Sequence, residues 1–170
     1  QLEMSKRVAA RQTLQPEDQS RYYSHPYYAL IHVALTIPAL RTTSALSQRL
    51  ALPESFVTEI LDFLLQTGLA AQGETAGTFK VGQNRLHLDR STSMILSHHR
   101  NWRSKVIDEL TVSKPDDLHY TSVMSLSKAD FVVVREYLAQ AIEHISKKII
   151  PPSPEEELAV LTMDFFTYKK

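Results

Sequence analysis

All four glycines of this 170-residue chain lie between positions 68 and 82. Glycine ends helices and allows tight turns because it adopts positive φ without steric cost. The remainder of the chain therefore favours helices. Gly68 follows a strongly apolar helical pattern, and Gly73 and Gly77 bound a loop between two short apolar runs. We predict a helix that ends at Gly68, followed by a β-hairpin whose second strand ends at Gly82.

Three helices are predicted before this hairpin. The first covers 26–36, with a proline in its first turn, and Pro38 ends it. Thr42 or Thr43 caps the second helix, and Pro53 begins the third. The third helix has a broad apolar stripe that is typical of a buried face. This stripe consists of Phe56, Val57, Ile60, Leu61, Leu64 and Leu65.

The second half alternates between helical and β-prone patterns. A fourth helix is predicted over about 91–110, and the β-prone segment 118–126 follows it. Ser127 caps a helix with clean apolar periodicity, which Pro151 and the residues after it end. Residues 157–166 are predicted to be a final strand. The fold class is therefore α+β, with three helices, a hairpin, and then helix, strand, helix and strand.

Residues 26–88 resemble a winged helix. The spacing that carries this resemblance is found at Leu46, Leu50, Pro53, Val57, Leu61, Leu64, Gly68, Leu69, Phe79 and Val81. We accordingly divide the chain into an N-terminal lead-in (1–25), a winged-helix domain (26–90) and a dimerisation or sensing module (91–170). The module consists of a helix followed by a strand-helix-strand unit.

A winged helix usually implies DNA binding through its third helix. The third helix here contains Glu54, Glu59 and Asp62 but no lysine or arginine. Because neutralisation of phosphates dominates DNA affinity, such a helix is repelled by DNA. We therefore favour protein contact for this helix. The flanking cations are kept as candidate nucleic-acid contacts: Arg41, Arg49, Lys80 and Arg85.

The segments 98–103, 118–127, 150–157 and 164–166 resemble an uncharacterised bacterial family of predicted transcriptional regulators. In that family, a helix-turn-helix segment of the lambda-repressor type precedes a C-terminal module of about this size. The resemblance covers the chain from Tyr22 onward, and it implies a regulator whose DNA-binding domain lies upstream. The chain starts at Gln1 rather than Met, so we expect it to be a piece of a longer protein.

The densest polar cluster of the sequence is a candidate effector site. It contains His98, His99, Arg100 and Arg103, which together could bind an anion such as a phosphate-bearing effector. The alternative is a half-exposed helix face whose histidines pack or form hydrogen bonds. Neighbouring helical residues point about 100° apart, so the two histidines are poorly placed to chelate one ion. We predict no metal and no cofactor.

Composition excludes several classes of protein. The chain has no cysteine, so it has no disulfide, thiol nucleophile or cysteine-based zinc site. Nineteen basic residues balance nineteen acidic ones, which gives no general attraction to nucleic acid or to anionic lipid. No apolar run approaches the roughly 18 residues of a membrane span. We expect a cytoplasmic location, and we predict no enzyme because no phosphate loop or arranged nucleophile is visible.

The segment 157–166 is apolar on both faces. Such an edge strand must be covered or paired, so we predict a homodimer through this C-terminal strand. The resulting hypothesis is a non-enzymatic regulatory and oligomerisation module of a bacterial transcriptional regulator, in contact with a protein partner or with the upstream DNA-binding domain. The alternatives are a direct DNA-binding winged-helix transcription factor and a small-molecule sensor of an anionic effector.

Overall fold

The computed structural model describes residues 14–84, 86, 93–112 and 114–168. The α-helices of these ranges are α1 (Pro16–Ser24), α2 (Pro26–Ala34), α3 (Thr43–Leu50), α4 (Glu54–Gln66), α5 (Ser93–Glu109) and α6 (Lys128–His144). The β-strands are β1 (Ala70–Gln72) and β2 (Phe79–Val81). Short 3₁₀ turns cover Pro38–Leu40 and Leu110–Val112, and a π-helical turn covers Ile145–Ile149. The predicted α+β class is confirmed.

The ends of several helices follow from local hydrogen bonds. The Thr42 hydroxyl accepts a hydrogen bond from the Ala45 N–H at 3.2 Å and caps α3. Ser127 caps α6 in the same way, through the N–H of Asp130 at 3.0 Å. These side chains satisfy N–H groups that have no partner in the first turn of a helix. The helix starts predicted at these two caps are therefore confirmed.

The hairpin follows α4 as the glycines predict. β1 and β2 are antiparallel, with Ala71 opposite Lys80, and Gly68 has φ +69° at the exit of α4. A Cβ atom at Gly82 would lie 2.1 Å from the Gly68 carbonyl oxygen, so the chain can pass there only without a side chain. The order of α2, α3, α4 and the hairpin is that of a winged helix.

The buried core of the described chain lies in its first half. Within the described ranges, every buried residue lies between Leu14 and Ala70. The apolar stripe of α4 forms the centre of this core and packs against α2, α3 and β1. The fully buried side chains of large volume are Ile31, Leu35, Leu46, Val57, Ile60, Leu61, Leu64 and Leu69.

The sequence analysis missed α1, which lies within the predicted lead-in 1–25. Pro16 stands at its first position and acidic residues follow in the first turn, which is a common start signal. Tyr22 and Tyr23 of this helix belong to the same core as α2 and α4. A nine-residue helix is too short to be stable alone, so burial of the two tyrosines stabilises α1.

The second half of the chain has no buried residue in its described part. The strands predicted over 118–126 and 157–166 are wrong for the single chain, because both segments are without strand structure. Neither segment forms a backbone–backbone hydrogen bond with another described residue. A strand exists only when a neighbouring backbone pairs with it, and no described residue of the single chain does so for these segments.

The buried histidine of α2 makes the stability of the fold dependent on pH. His32 Nδ1 lies 3.1 Å from the Tyr22 hydroxyl. Burial lowers the pKa of His32, and the Leu69 carbonyl offsets this only in part. Below about pH 6.5 the unfolded chain therefore binds a proton that the folded chain does not, and the free energy of unfolding falls as the pH falls.

We expect the free energy of unfolding to fall between pH 7.5 and pH 5, by at most about 1.4 kcal/mol per pH unit from this one proton. Chemical denaturation at several pH values measures the slope. A His32→Gln variant should have a shallower slope, and the exposed His119→Gln serves as the matched control. An unchanged slope in His32→Gln would refute the assignment.

Candidate functional site

The last extended segment crosses the face of α5, and we call residues 157–166 the C-terminal strap. Glu157 at its start accepts a hydrogen bond from Arg49 of α3 at 2.8 Å. Leu158 packs against the core. Near the other end, Asp164 binds Arg103 of α5 through both carboxylate oxygens. The strap is thus fastened near both ends, although it forms no strand.

Arg103 makes the most extensive of these attachments. Its Nε lies 2.6 Å from Asp164 Oδ2, and an Nη2 hydrogen also binds the Oδ1 of the same carboxylate. The guanidinium donates further hydrogen bonds to the carbonyl oxygens of Met163 and His99, at 3.2 and 3.0 Å. Such two-pronged pairing between arginine and carboxylate fixes geometry as well as charge.

A cavity of about 460 Å³ lies between α2, α5 and the strap. Ala29, Leu30 and Val33 of α2 form one wall, and residues 158–163 of the strap form another. Trp102 of α5 and Ile142 of α6 complete the apolar part of the lining. The polar groups at this cavity are His98, His99, Arg103 and Thr162.

The side chain of Asn101 holds α5 in place beside this cavity. Its amide donates hydrogen bonds to the carbonyl oxygens of Tyr23 and Ser24, at 2.9 and 3.1 Å. These carbonyls belong to the last turn of α1, where no helical N–H can reach them. The sequence analysis missed this contact because Asn101 lies 78 positions after Tyr23 and 77 positions after Ser24.

The structure brings three of the four candidate effector residues to the cavity. His98, His99 and Arg103 line it, and Arg100 is not in the lining. His98 is half-buried, with its ring 5.3 Å from Tyr23 and 6.4 Å from Trp102, in edge-to-face contacts. Burial lowers the pKa of His98, and the neighbouring His99 lowers it further. The cluster therefore has less positive charge to offer an anion than its composition suggests.

Two of the four candidate nucleic-acid contacts have partners within the fold. Arg41 donates hydrogen bonds to the carbonyl oxygens of Leu35 and Thr36 at 3.0 and 3.1 Å. Arg49 is paired with Glu157 of the strap. Lys80 is exposed on β2, and Arg85 lies outside the described residues.

The exposed face of α4 keeps its acidic character. Glu54, Glu59 and Asp62 are all exposed, and Glu59 pairs with Arg21 of α1 at 3.2 Å. An exposed pair of this kind contributes little stability. No lysine or arginine of α4 stands among these acids, so the helix presents a negative surface.

A second groove, of about 630 Å³, separates residues 122–128 from the end of the chain at 164–168. Phe131 of α6 and Phe165 of the strap stack at its base, with ring centroids 4.5 Å apart. Sequence reasoning missed this stack because nothing in the local pattern indicates which residues meet across 34 positions. The two extended segments thus lie side by side with a gap between them.

Some kinds of site are absent from the described part of the chain. No three His, Asp or Glu side chains come together there as a group that could hold a metal ion. None of the helices in these ranges is both long and apolar enough to cross a membrane.

The fold and the cavity define an α+β protein with a winged-helix order of elements and a second half that lacks a core. The chain belongs to the family described as Domain of unknown function (DUF4423), which matches residues 5–167. No curated protein matches its sequence. The resemblance to bacterial transcriptional regulators stays a prediction.

The attachment of the strap can be tested at Arg103. An Arg103→Ala variant should release the strap and raise the rate of chymotrypsin cleavage at Phe165 and Phe166. The loss in overall stability should be at most about 1 kcal/mol, because the pair is partly exposed. Lys147→Ala, which removes an ion pair within one helical segment, is the control. Equal cleavage rates in wild type and Arg103→Ala would contradict the attachment.

Proposed function

We propose that the chain is a non-enzymatic regulatory and oligomerisation module of a bacterial, cytoplasmic transcriptional regulator. It acts through protein contacts. We expect it to form a homodimer and to contact a further protein or domain. The observation that carries this proposal is the unequal burial of the two halves of the chain. Buried residues end at Ala70, whereas the second half exposes large apolar side chains that include Leu118 at 92% and Val123 at 100%.

The total surface supports an assembled state. A compact protein of 19.3 kDa exposes about 8,500 Å², but the chain exposes 13451 Å². Giving the residues outside the described ranges the full surface of an extended chain leaves about 9,700 Å² for the described part, whereas a compact protein of that smaller mass exposes about 7,600 Å², so the excess is about 2,000 Å². A standard interface buries roughly 800 Å² on each partner. The excess is therefore large enough for a stable homodimer.

The extended segments supply the means of assembly. Residues 118–126 and the strap are β-prone, and their backbone N–H and C=O groups form no backbone pairs within the described chain. Backbone groups removed from water need partners, and an edge of this kind is a template for another strand. A second copy offers the same two segments, so pairing across a twofold axis satisfies both chains.

The remaining helix of this half fits the same role. α6 has 17 residues and none is buried. Phe131, Val134 and Leu138 are half-buried on one side, while Val132 and Val133 are exposed on another. A helix that is apolar around much of its circumference normally lies inside a protein. In the proposed dimer, α6 and the paired segments enclose one another's apolar faces.

The winged helix is assigned to protein contact because its charges are unsuited to DNA. The acidic face of α4 repels phosphates, and two of the flanking arginines already have partners in the fold. The partner of this surface is another protein or an upstream DNA-binding domain of the same regulator. Direct DNA binding by the chain is the alternative.

Assembly is tested by light scattering after size-exclusion chromatography. The wild type should be a dimer at micromolar concentration. The double variant Leu118→Asp, Val123→Asp places charges at exposed positions, so it should fold yet weaken the dimer at least about tenfold. Leu96→Asp, at an exposed position of α5, is the matched control. A wild type that is monomeric at these concentrations contradicts the proposal.

DNA binding is tested by fluorescence anisotropy with labelled duplexes at several salt concentrations. We expect binding no tighter than the roughly 10⁻⁴–10⁻⁶ M of non-specific contacts at physiological salt. The variant Glu54→Lys, Asp62→Lys should bind more tightly, because it removes the repulsion. If the wild type binds with a steep salt dependence, and Arg49→Glu, Lys80→Glu abolishes this, the DNA-binding alternative is correct.

A further inference from the structure

The cavity between α2, α5 and the strap is lined by three parts of the molecule, and the proposed function gives each of them a different role. α2 belongs to the winged helix, α5 begins the second half, and the strap is the segment proposed to pair with a second copy. We propose that this cavity binds a small, neutral, apolar molecule that acts as an effector.

The lining favours an apolar occupant. Its walls are formed by Leu30 and Val33 of α2, Trp102 of α5, Ile142 of α6 and the aliphatic residues of the strap. Val33 is 54% exposed although it points toward this space from a helix of the core. An apolar molecule in the cavity would cover this surface, and removal of apolar area from water drives binding.

The volume of the cavity and the short length of strap beside it favour a small molecule over a polypeptide. About 460 Å³ lies within the range of ordinary ligand cavities. The strap closes one side and is held near both ends by Arg49–Glu157 and Arg103–Asp164. Only the six residues 158–163 of the strap, between these two attachments, line the cavity, and this short wall suits a small molecule better than a polypeptide.

The charges around the cavity favour a neutral occupant over an anion. The guanidinium of Arg103 is already bound by the Asp164 carboxylate, which compensates its positive charge. His98 is packed between Tyr23 and Trp102, where burial favours its neutral form. A neutral imidazole can donate or accept one hydrogen bond. The fitting class is therefore a neutral, apolar molecule with a single polar group, such as an alcohol or an arylamine.

A consequence for regulation rests on the proposed function. The strap lines the cavity on one side, and its backbone forms no backbone–backbone hydrogen bond with another described residue, so it is available to pair with a second chain. A bound molecule that fixes the strap lowers the entropy lost when the strap pairs. Occupancy of the cavity should therefore strengthen the dimer.

The chain contains its own probe for this site, because Trp102 is its single tryptophan. N-phenyl-1-naphthylamine is neutral and apolar, and it accepts excitation energy from tryptophan. Titration should give saturable loss of Trp102 emission at one probe per chain, with a dissociation constant in the micromolar range. Octan-1-ol should displace the probe, and octanoate, which differs by its charge, should displace it poorly.

Two matched variants distinguish binding of the probe in the cavity from binding to exposed apolar surface elsewhere. Val33→Phe fills the cavity from an exposed position, so the chain should fold while binding the probe at least about tenfold more weakly. Ala76→Phe adds an aromatic ring in the exposed hairpin loop and should leave binding unchanged. Circular dichroism checks that both variants keep their helices.

The possible outcomes separate the two proposals. Absence of saturable quenching, or quenching that Val33→Phe leaves unchanged, overturns the cavity site. Displacement by octanoate as efficient as that by octan-1-ol overturns its neutral class. Light scattering with and without the probe, at a dilution where monomer and dimer are both populated, tests the regulatory step: a larger dimer fraction supports it, and an unchanged fraction overturns it. A chain that binds the probe but never dimerises retains the cavity site and overturns the proposed function.

Discussion

Burial of the apolar stripe of α4 is the constraint on which the rest of the structure depends. α2, α3 and β1 all pack against this helix, and Ile60, Leu61 and Leu64 on it are almost completely removed from water. Side chains of this kind contribute about 1.5–3 kcal/mol each when fully buried. The first half can therefore form a stable core by itself, and α1 joins it by burying two tyrosines.

Because the buried core is formed by the first half, the apolar side chains of the second half remain exposed. α5 is held to the core by Asn101 and by aromatic contacts of His98, but α6 and the extended segments bury nothing completely. Their apolar side chains and unpaired backbone groups leave a large free energy to be gained from a partner. This is why the proposed function concerns assembly rather than chemistry. The cavity is lined by residues of both halves, so a molecule bound there, as proposed, would contact both.

The expectation of an anionic effector site illustrates how composition differs from geometry. Four basic or titratable residues within 98–103 make an anion site reasonable from sequence. In the folded chain, Arg103 pairs with a carboxylate 61 positions away, and His98 is packed among aromatic rings. Both effects lower the attraction for an anion. Neither could be found from the local pattern, because both depend on which distant segments come together.

Local sequence signals alone predict a cap at Thr42 or Thr43 and another at Ser127, the end of α4 at Gly68, the hairpin and the acidic face of α4. These features depend on backbone preferences and on the period of apolar residues, which act over a few positions. Tertiary structure alone decided that α1 forms, that the strap lies across α5 and that a cavity opens beneath it. It also decided that 118–126 and the strap are not strands in the single chain, because β structure requires a partner backbone that no local pattern supplies.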